Sequence, residues 1–549
     1  MKKHNKLLTL FLALALFLMS ALPMTALAAG ETGSITITPP ANHTMANTDF
    51  KAFRLFDVTV GAAPNYSYAY TAVPGVAQFL TKPGMSKYGA DAAAFLVWLQ
   101  GTRTEAEIIQ LAKDLAKYKD LFTPALTADQ ATTNVKFNNV PYGYYLVTGA
   151  AVRNGQKVYS RGMLVLVPAP TYTGDKITGY RPNVEIKLKA DSPAIDKEVW
   201  NHNKGTNPKD DAGWTDWTDV NIGDTVYFKH VSKVPDMTGY TKYTYIVHDT
   251  MSKGLTFVTD PAKMVIKMKK DGQVYIVPTD QYTVRTSPAT DTTGQYVGGL
   301  KIDIEFKNFL QYADKAGWEI EIVYEAVLNE HAIIGAPGNP NKVYLEYSNN
   351  PDDENETGKT PEDEVIVYTF DMEIYKYTGE LPGTPLAGAE FELSPKAGSG
   401  YGEPIKFIKL ENDANYDYRV AKPGEQGATT TLVSNASGKI RIKGLDAGEY
   451  GLKETKAPEG YNMIPGWITT VIIHKPDANG QFKGDHATVV NGKETQSVNV
   501  QNNAGGELPG TGGIGIYIFF AVGGAMMSLL CAAFVIYKKR KTLGALDVM

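Results

Sequence analysis

Apolar and polar residues alternate over short stretches through most of the chain. Such alternation places one face of a β-strand on a core and the other face in solvent. Gly, Pro, Asn and Asp cluster between these stretches, as they do between the strands of sandwich domains. The pattern predicts a mainly β protein, with strands that include residues 35–37, 243–247, 301–306, 319–324 and 439–442.

One region in the first third of the chain has the helical period instead. Residues 104–107 read Thr-Glu-Ala-Glu, a capping box, and the apolar residues that follow recur at helical spacing. Residues 92–99 predict a second helix. We therefore expect a helical insertion that covers one face of a β domain.

Both ends of the chain predict export. Residues 514–537 form an apolar run, and a basic tail follows at 538–549. About 24 helical residues span about 36 Å, enough to cross a bilayer core of about 30 Å, and the basic tail should stay in the cytoplasm. Residues 1–28 combine a basic start, an apolar stretch and an Ala-Leu-Ala end, which predicts a cleaved signal peptide. The bulk of the chain is therefore expected outside the cell.

Composition argues against several classes of site and partner. The single cysteine, Cys531, lies in the predicted membrane span, so the exported part has no disulfide to stabilise it. The eight histidines show no metal-ligand spacing, and we expect neither a metal nor a cofactor. A net charge of −5 over 549 residues argues against nucleic acid as a partner.

Two polar segments divide the exported part into domains. Residues 171–189 lead into a new strand that begins near residue 194, and residues 351–364 form an acidic stretch ahead of another strand. The acidic stretch lacks the EF-hand spacing of a calcium loop, which favours a solvated linker over calcium binding. We predict three domains, at residues 29–190, 191–364 and 365–503.

The sequence Leu508-Pro509-Gly510-Thr511-Gly512 directly precedes the predicted span. This order of LPxTG, apolar span and basic tail resembles the cell-wall sorting signal of Gram-positive surface proteins, which is a sortase substrate. The resemblance implies a sorting segment at 504–513, cleavage between Thr511 and Gly512, and transfer of the Thr511 carboxyl to an amine. An ordinary membrane anchor after a chance match is the alternative.

The third predicted domain carries reactive groups near both of its ends. Lys376 shares a strand face with apolar residues, and a lysine that faces a core is costly unless it is neutral or paired. Asn502 occupies the equivalent place on a strand near the end of the domain. A surface lysine and a capping asparagine are the alternative.

Two segments between these residues indicate a reaction. Residues 450–461 resemble the E-box of collagen-adhesin B-type repeats, and residues 386–391 resemble their second strand. The resemblance implies an intramolecular isopeptide bond from Lys376 to Asn502, promoted by Glu454. In that chemistry a neutral lysine attacks the amide, a protonated carboxyl polarises it, and ammonia leaves.

The middle domain repeats this arrangement. Lys197 alternates with apolar residues on the first strand, and Asn349 stands at the end of a late strand. Residues 247–257 resemble the segment that supplies the acid in the middle domain of fimbrial backbone pilins. The resemblance implies a bond from Lys197 to Asn349 with Asp249 as the acid. Asn350 is the alternative partner, because a one-residue register error would exchange the two; ordinary turn and surface groups are the other reading.

The first domain lacks these residues. Its opening strand, 34–38, has no lysine, and residues 141–147 occupy the place of an E-box without an acid. We therefore expect only packing and hydrogen bonds to hold this domain together.

Residues 184–189, at the junction of the first two domains, resemble the pilin motif, whose lysine accepts the threonyl carboxyl of the next subunit. Aligned in this way, the acceptor is Lys189. The match is partial, because Leu188 replaces proline, Lys187 replaces tyrosine and Ala190 replaces asparagine. Lys187 is the alternative acceptor, and lysines that only protect an edge strand are the other reading.

Taken together, the chain resembles a major (backbone) pilin of a sortase-assembled Gram-positive pilus. The resemblance implies tandem immunoglobulin-like or collagen-adhesin-like β-sandwiches in a wall-anchored surface pilus. It also implies a structural subunit, not an enzyme beyond the single-turnover formation of its own isopeptide bonds. The implied partners are pilin-specific and housekeeping sortases, identical subunits, ancillary pilins and peptidoglycan. An ancillary pilin or a wall-anchored adhesin that does not polymerise is the alternative, and the sequence specifies no host ligand.

Overall fold

The computed structural model describes residues 30–504, apart from 41–42, 47, 132, 154, 189–192 and 209–211, together with 522–535. These residues are mainly β, as the alternation predicted. The predicted signal peptide, the sorting motif and Lys189 lie outside the described residues, as does part of the predicted span. Residues 522–535 are helical, and nowhere in the described chain does a helix reach the length and hydropathy needed to cross a membrane.

The first domain closes on itself because its last strand lies beside its first. Asn183–Lys187 pairs in parallel with Thr32–Thr38, which in turn pairs with Val135–Pro141. A second sheet packs against this one, and alternate residues of both sheets form the core. The remaining strands are Lys51–Val60, Tyr68–Ala72, Leu126–Thr127, Asp129–Gln130, Gly143–Arg153, Gln156–Val167, Ala169–Thr173 and Lys176–Arg181.

Helices cover one face of this domain, as predicted. The α-helices are Pro74–Leu80, Ala92–Gln100 and Glu105–Lys117, and short 3-10 turns follow at Met85–Tyr88 and Lys119–Leu121. The predicted capping box is present: the Glu107 amide donates to the Thr104 hydroxyl, and the Thr104 amide donates to the Glu107 carboxylate. Apolar residues of the helices pack on Phe53, Leu55, Phe56 and Leu146 of the sheet.

The middle domain is a sandwich of two large sheets. The first strand, Ile195–Trp200, lies in one sheet, and Tyr245–Met251 and Asn339–Ser348 lie together in the facing one. Its 3-10 turns are Pro261–Lys263, Thr279–Gln281 and Phe309–Lys315. The other strands are Trp214–Thr215, Trp217–Asp219, Thr225–Lys233, Leu255–Phe257, Met264–Lys270, Gln273–Ile276, Tyr282–Pro288, Leu300–Phe306, Glu319–Leu328, Thr357–Lys359 and Asp363–Tyr368.

The predicted boundary after residue 364 is corrected by the strand pairing. Asp363–Tyr368 pairs with Asn339–Ser348 and, in parallel, with Trp217–Asp219, so it is the last strand of the middle domain. The third domain begins at Phe370. The acidic stretch is not only a linker, because Thr357–Lys359 adds to the edge of Asn339–Ser348.

The third domain is also a sandwich, and its first and last strands are neighbours. Phe370–Thr378 pairs in parallel with Val498–Gln501, in a sheet that faces the one containing Gly448–Lys456. The remaining strands are Thr384–Pro385, Glu390–Ala397, Gly400–Tyr401, Phe407–Lys409, Tyr418–Val420, Leu432–Val433, Lys439–Leu445, Trp467–Pro476, Phe482–Val490 and Lys493–Thr495.

Acidic and histidine side chains meet where the middle and third domains join. His474 Nε2 lies 3.2 Å from Asp219 Oδ2, which also accepts from the Ala447 amide at 3.1 Å. His202 Nε2 lies 2.9 Å from Asp446 Oδ2. Because each of these contacts crosses the junction, the two domains are joined by polar side-chain contacts as well as by apolar packing.

Candidate functional site

The third domain brings Lys376, Glu454 and Asn502 together in its core. Lys376 Nζ donates to Asn502 Oδ1 and lies 3.0 Å from Glu454 Oε1. Asn502 Nδ2 donates to the same Glu454 oxygen at 2.9 Å. The Lys376 and Glu454 side chains have no exposed surface. These three residues, predicted from the sequence, therefore form one enclosed cluster.

The fold explains why these side chains meet. Lys376 lies opposite Val500 in the parallel pair, and the Asn502 amide donates to the Tyr377 carbonyl at 2.9 Å, so both reactive groups come from one sheet. Glu454 reaches them from the facing sheet. Its second oxygen, Oε2, accepts from the Ile464 amide at 2.7 Å, which leaves Oε1 directed at the lysine and the asparagine.

This environment favours a nucleophilic amine. Burial lowers the pKa of Lys376, although the nearby Glu454 carboxylate acts in the opposite direction. A neutral amine can attack the amide carbon of Asn502. Rotation of that amide by 180° exchanges its oxygen and nitrogen, so a protonated Glu454 can donate to the carbonyl oxygen. The cluster thus holds a nucleophile, an electrophile and an acid within contact distance.

The middle domain also buries a lysine beside an acid. Lys197 Nζ donates to Asp249 Oδ2 and to the Tyr324 hydroxyl, the latter at 2.9 Å. His230 Nε2 lies 3.0 Å from the same Nζ. Tyr324 in turn donates to Asp249 Oδ2 at 2.5 Å. Lys197, His230 and Tyr324 come from one sheet, and Asp249 comes from the facing one.

The structure does not bring Asn349 to this cluster. Its Nδ2 donates to the Lys157 carbonyl of the first domain at 3.2 Å, and its carbonyl accepts from the Tyr159 amide at 3.1 Å. The side chain of the alternative, Asn350, donates to Glu356 at 2.8 Å. Asn349 therefore joins the first and middle domains and does not face Lys197.

Asn341 takes the position predicted for Asn349. It lies on the inward face of Asn339–Ser348, is fully buried, and its Nδ2 donates to the Tyr324 hydroxyl at 2.9 Å. Asn341 Oδ1 is buried and has no hydrogen-bond partner among the described residues. Lys197 and Asn341 thus contact the same hydroxyl, so Asn341 is an amide within this cluster.

Charges within the middle-domain cluster oppose one another. Burial lowers the pKa of Lys197, while Asp249 acts to raise it. Burial acts to raise the pKa of Asp249, but the Lys197 and His230 side chains outweigh burial and hold it below its usual range. Burial and Asp249 raise the pKa of Tyr324 well above its ordinary value, so its hydroxyl stays protonated. When the lysine loses its proton, it no longer favours the ionised form of Asp249.

The first domain shows a different pattern. Among its described residues no lysine is buried, and Ile35 and Ile37 occupy the core face of its opening strand. Lys187, the alternative acceptor, is exposed at the end of the strand Asn183–Lys187. The adjacent Leu188 is buried, and its amide donates to the Thr38 carbonyl at 2.9 Å.

Sequence reasoning missed His230, Tyr324 and Asn341. Each lies on the inward face of an alternating strand, but many other residues share that property. The one available signal was the polar character of His230 and Asn341 at positions where the period requires a core residue.

Comparison with known proteins relates the clusters to described domain types. Residues 222–351, which include Asp249 and Asn341, match the family described as Gram-positive pilin backbone subunit 2, Cna-B-like domain. Residues 371–488, which include Lys376 and Glu454, match SpaA, a prealbumin-like fold domain.

Most of the chain also resembles a solved pilin. The trypsin-resistant surface T6 protein of Streptococcus pyogenes serotype M6 is 24% identical over 379 residues, 56% of this chain and 63% of T6, so the chain spans under two thirds of that relative. The solved T6 backbone pilin, described as modular and three-domain, gives a TM-score of 0.50 at 18% identity, covering 87% of this chain and 100% of its own. The full-length major pilin SpaD of Corynebacterium diphtheriae gives a TM-score of 0.46 at 18% identity, and the match covers 87% of this chain and 99% of SpaD. The chain thus has the mainly β, multidomain fold of the T6 backbone pilin, with a Cna-B-like middle domain and a prealbumin-like third domain.

Proposed function

We propose that this chain is the backbone subunit of a covalently polymerised pilus on a Gram-positive surface, and that its middle and third domains lock themselves with Lys–Asn isopeptide bonds. The observation that carries the proposal is the pair of buried lysine, carboxyl and asparagine clusters in consecutive domains. The likeness in fold to the solved T6 backbone pilin supports the same proposal.

In the third domain, Lys376 Nζ attacks Asn502 Cγ. The bond from Nζ to Cγ forms, and the bond from Cγ to Nδ2 breaks. Glu454 donates to the carbonyl oxygen, accepts a proton from the attacking nitrogen and passes it to the departing nitrogen, which leaves as ammonia. The acid ends in its starting protonation state, so each domain reacts once without a cofactor. The chain is then a structural protein that modifies only itself.

In the middle domain, the corresponding bond joins Lys197 to Asn341. Asp249 is the acid, and Tyr324 links it to the amide because its hydroxyl contacts both side chains. Asn349 has a separate role in docking the middle domain on the first.

Polymerisation follows from the sorting motif. A pilin-specific sortase cleaves between Thr511 and Gly512 and transfers the Thr511 carboxyl to Lys189 of the next subunit, with Lys187 as the alternative acceptor. The housekeeping sortase then attaches the fibre to peptidoglycan, and ancillary pilins complete it. Leu508, Pro509 and Gly510 complete the recognition sequence.

Immunoblots of wall extracts test the polymerisation. The wild type should give an SDS-resistant ladder, Lys189→Ala should give monomer only, and Lys187→Ala should keep the ladder. Loss of the ladder in Lys187→Ala alone moves the acceptor to Lys187. A wild type that reaches the wall as monomer contradicts the backbone role and favours an ancillary pilin or adhesin.

A further inference from the structure

His230 lies against the reacting atoms of the middle domain. It stands opposite Lys197 in the antiparallel pairing, and its ring is buried. Nε2 is 3.0 Å from Lys197 Nζ and 2.8 Å from Asp249 Oδ2. A histidine at this distance from an amine can exchange a proton with it directly.

The imidazole of His230 packs on the Tyr324 ring, with 5.2 Å between centroids, but within the described chain its other nitrogen is left unpaired. Its Nδ1 is buried and has no hydrogen-bond partner among the described residues, which costs stability. His248, on the strand that carries Asp249, is different, because its two nitrogens lie 2.5 Å from Asp303 and 3.2 Å from Glu346. A buried imidazole with an unpaired nitrogen beside a reactive lysine points to chemistry more than to packing.

Two protons leave the lysine during the reaction, and a second acceptor would relieve Asp249 of taking both. Lys197 begins as an ammonium with three protons and ends as an amide nitrogen with one, so two protons must leave it. Asp249 can take the first and thereby becomes the acid. The second leaves after attack, when the new bond makes the nitrogen cationic while Asp249 is still protonated.

We propose that His230 is the general base that removes this second proton from Lys197 Nζ. The inference rests on the proposed Lys197–Asn341 bond. Asp249 then donates its proton through the Tyr324 hydroxyl to Asn341 Nδ2, the carbonyl re-forms, and ammonia departs. The proton on His230 leaves with the ammonia as ammonium, so the ring returns to its neutral form and charge is conserved.

Two observations agree with this role. Burial and the Lys197 charge lower the pKa of His230 to about 4, against the effect of Asp249, so the ring is a neutral base at physiological pH. In the third domain, Lys376 Nζ contacts Glu454, Asn502 and the Phe391 ring, and Glu454 must serve both steps there. The third domain is therefore an internal control for the effect of the imidazole.

The test follows cross-linking in time. The three-domain chain, residues 29–511, is translated in vitro and sampled for intact mass, in which each bond appears as the loss of one ammonia. His230→Gln should slow the middle-domain loss by about 10²-fold or more, the usual contribution of a general base. His248→Gln, the matched control, should react at the wild-type rate, and the third-domain loss should be unchanged in both.

Chemical rescue separates catalysis from packing. In His230→Ala, free imidazole should accelerate the middle-domain loss in proportion to its concentration, whereas Lys197→Ala should not respond. Wild-type rates in His230→Gln would overturn the inference, and so would a slow His230→Ala that imidazole does not accelerate. If the wild type and Lys197→Ala lose the same number of ammonias, the proposed middle-domain bond does not form. That result contradicts the proposed function and is distinguishable from a failure of the His230 inference.

Discussion

The choice between Asn341 and Asn349 gives the sharpest prediction. Asn341→Ala should abolish the middle-domain bond, because Asn341 shares the Tyr324 hydroxyl with Lys197. Asn349→Ala should leave the bond intact, because that side chain donates to the first domain. The two substitutions remove the same chemical group, one within the strand Asn339–Ser348 and one just after it, so each is the matched control of the other.

The size of the effect follows from the covalent loop. Lys197 and Asn341 enclose about 145 residues, and a cross-link of that span stabilises a fold by about 5 kcal/mol through the entropy of the unfolded chain. For a domain of this size each kcal/mol shifts the melting temperature by about 2–4 °C. Asn341→Ala should therefore lower the melting temperature of the middle domain by about 10–20 °C. Asn349→Ala removes one hydrogen bond and should cost only about 1 kcal/mol.

Intact mass and scanning calorimetry measure the two consequences on the same sample. The wild-type chain should lack two ammonias, Asn341→Ala one and Asn349→Ala two, and tryptic mapping should find a peptide joining Lys197 to Asn341. Reducing agents should not change the melting temperature, since the cross-link is not a disulfide. A peptide that joins Lys197 to Asn349, or an Asn341→Ala chain that still lacks two ammonias, would refute the reasoning.

Three further predictions concern the other domains. Glu454→Gln should remove the third-domain ammonia loss and about 5 kcal/mol of stability, as intact mass and calorimetry would show. Glu449→Gln, on the same strand but only partly buried and away from the cluster, should do neither. The junction of the middle and third domains should loosen as pH rises from 5 to 8. The hydrogen bond to Asp446 raises the pKa of His202, and burial raises the pKa of Asp446. Both groups therefore bind protons more tightly in the folded protein, so the junction is more stable at low pH and loses this stability as the pH rises. Hydrogen exchange at the junction should depend less on pH in Asp446→Asn than in the wild type. Limited trypsin digestion should cut the first domain before the other two, because no isopeptide bond is expected there; earlier cleavage in the middle domain of the wild type would contradict this.

The third-domain site was predictable because sequence signals agreed at every step. Lys376 lies on the first strand, and Asn502 directly follows the last strand, which is its parallel neighbour, so positions counted from the two ends of the domain meet. The E-box resemblance then supplied Glu454. The capping box at Thr104 was equally direct, because it depends only on residues three apart.

The middle-domain amide could not be predicted in the same way. Asn341 and Asn349 are an even number of residues apart, so the two-residue period of a strand predicts both of them on the inward face. Which of them meets Lys197 depends on how two sheets align across the core, and no local pattern encodes that alignment. His230 and Tyr324 were missed for the same reason. The boundary near residue 364 failed because Asp363–Tyr368 has the pattern of a strand without a sign of which domain it joins.

The two proposed bonds differ in what they enclose. In the third domain the bond links the first strand to the residue just after the last, so nearly the whole sandwich lies inside the covalent loop. In the middle domain the loop ends at Asn341, and the strand Asp363–Tyr368 lies outside it. A pull along the chain therefore reaches that strand without covalent protection, and its ladders to Asn339–Ser348 and Trp217–Asp219 must resist it. The Phe482 ring of the third domain packs 4.8 Å from Tyr368 and 4.6 Å from Trp217, centroid to centroid, which places aromatic packing between domains where the covalent loop stops.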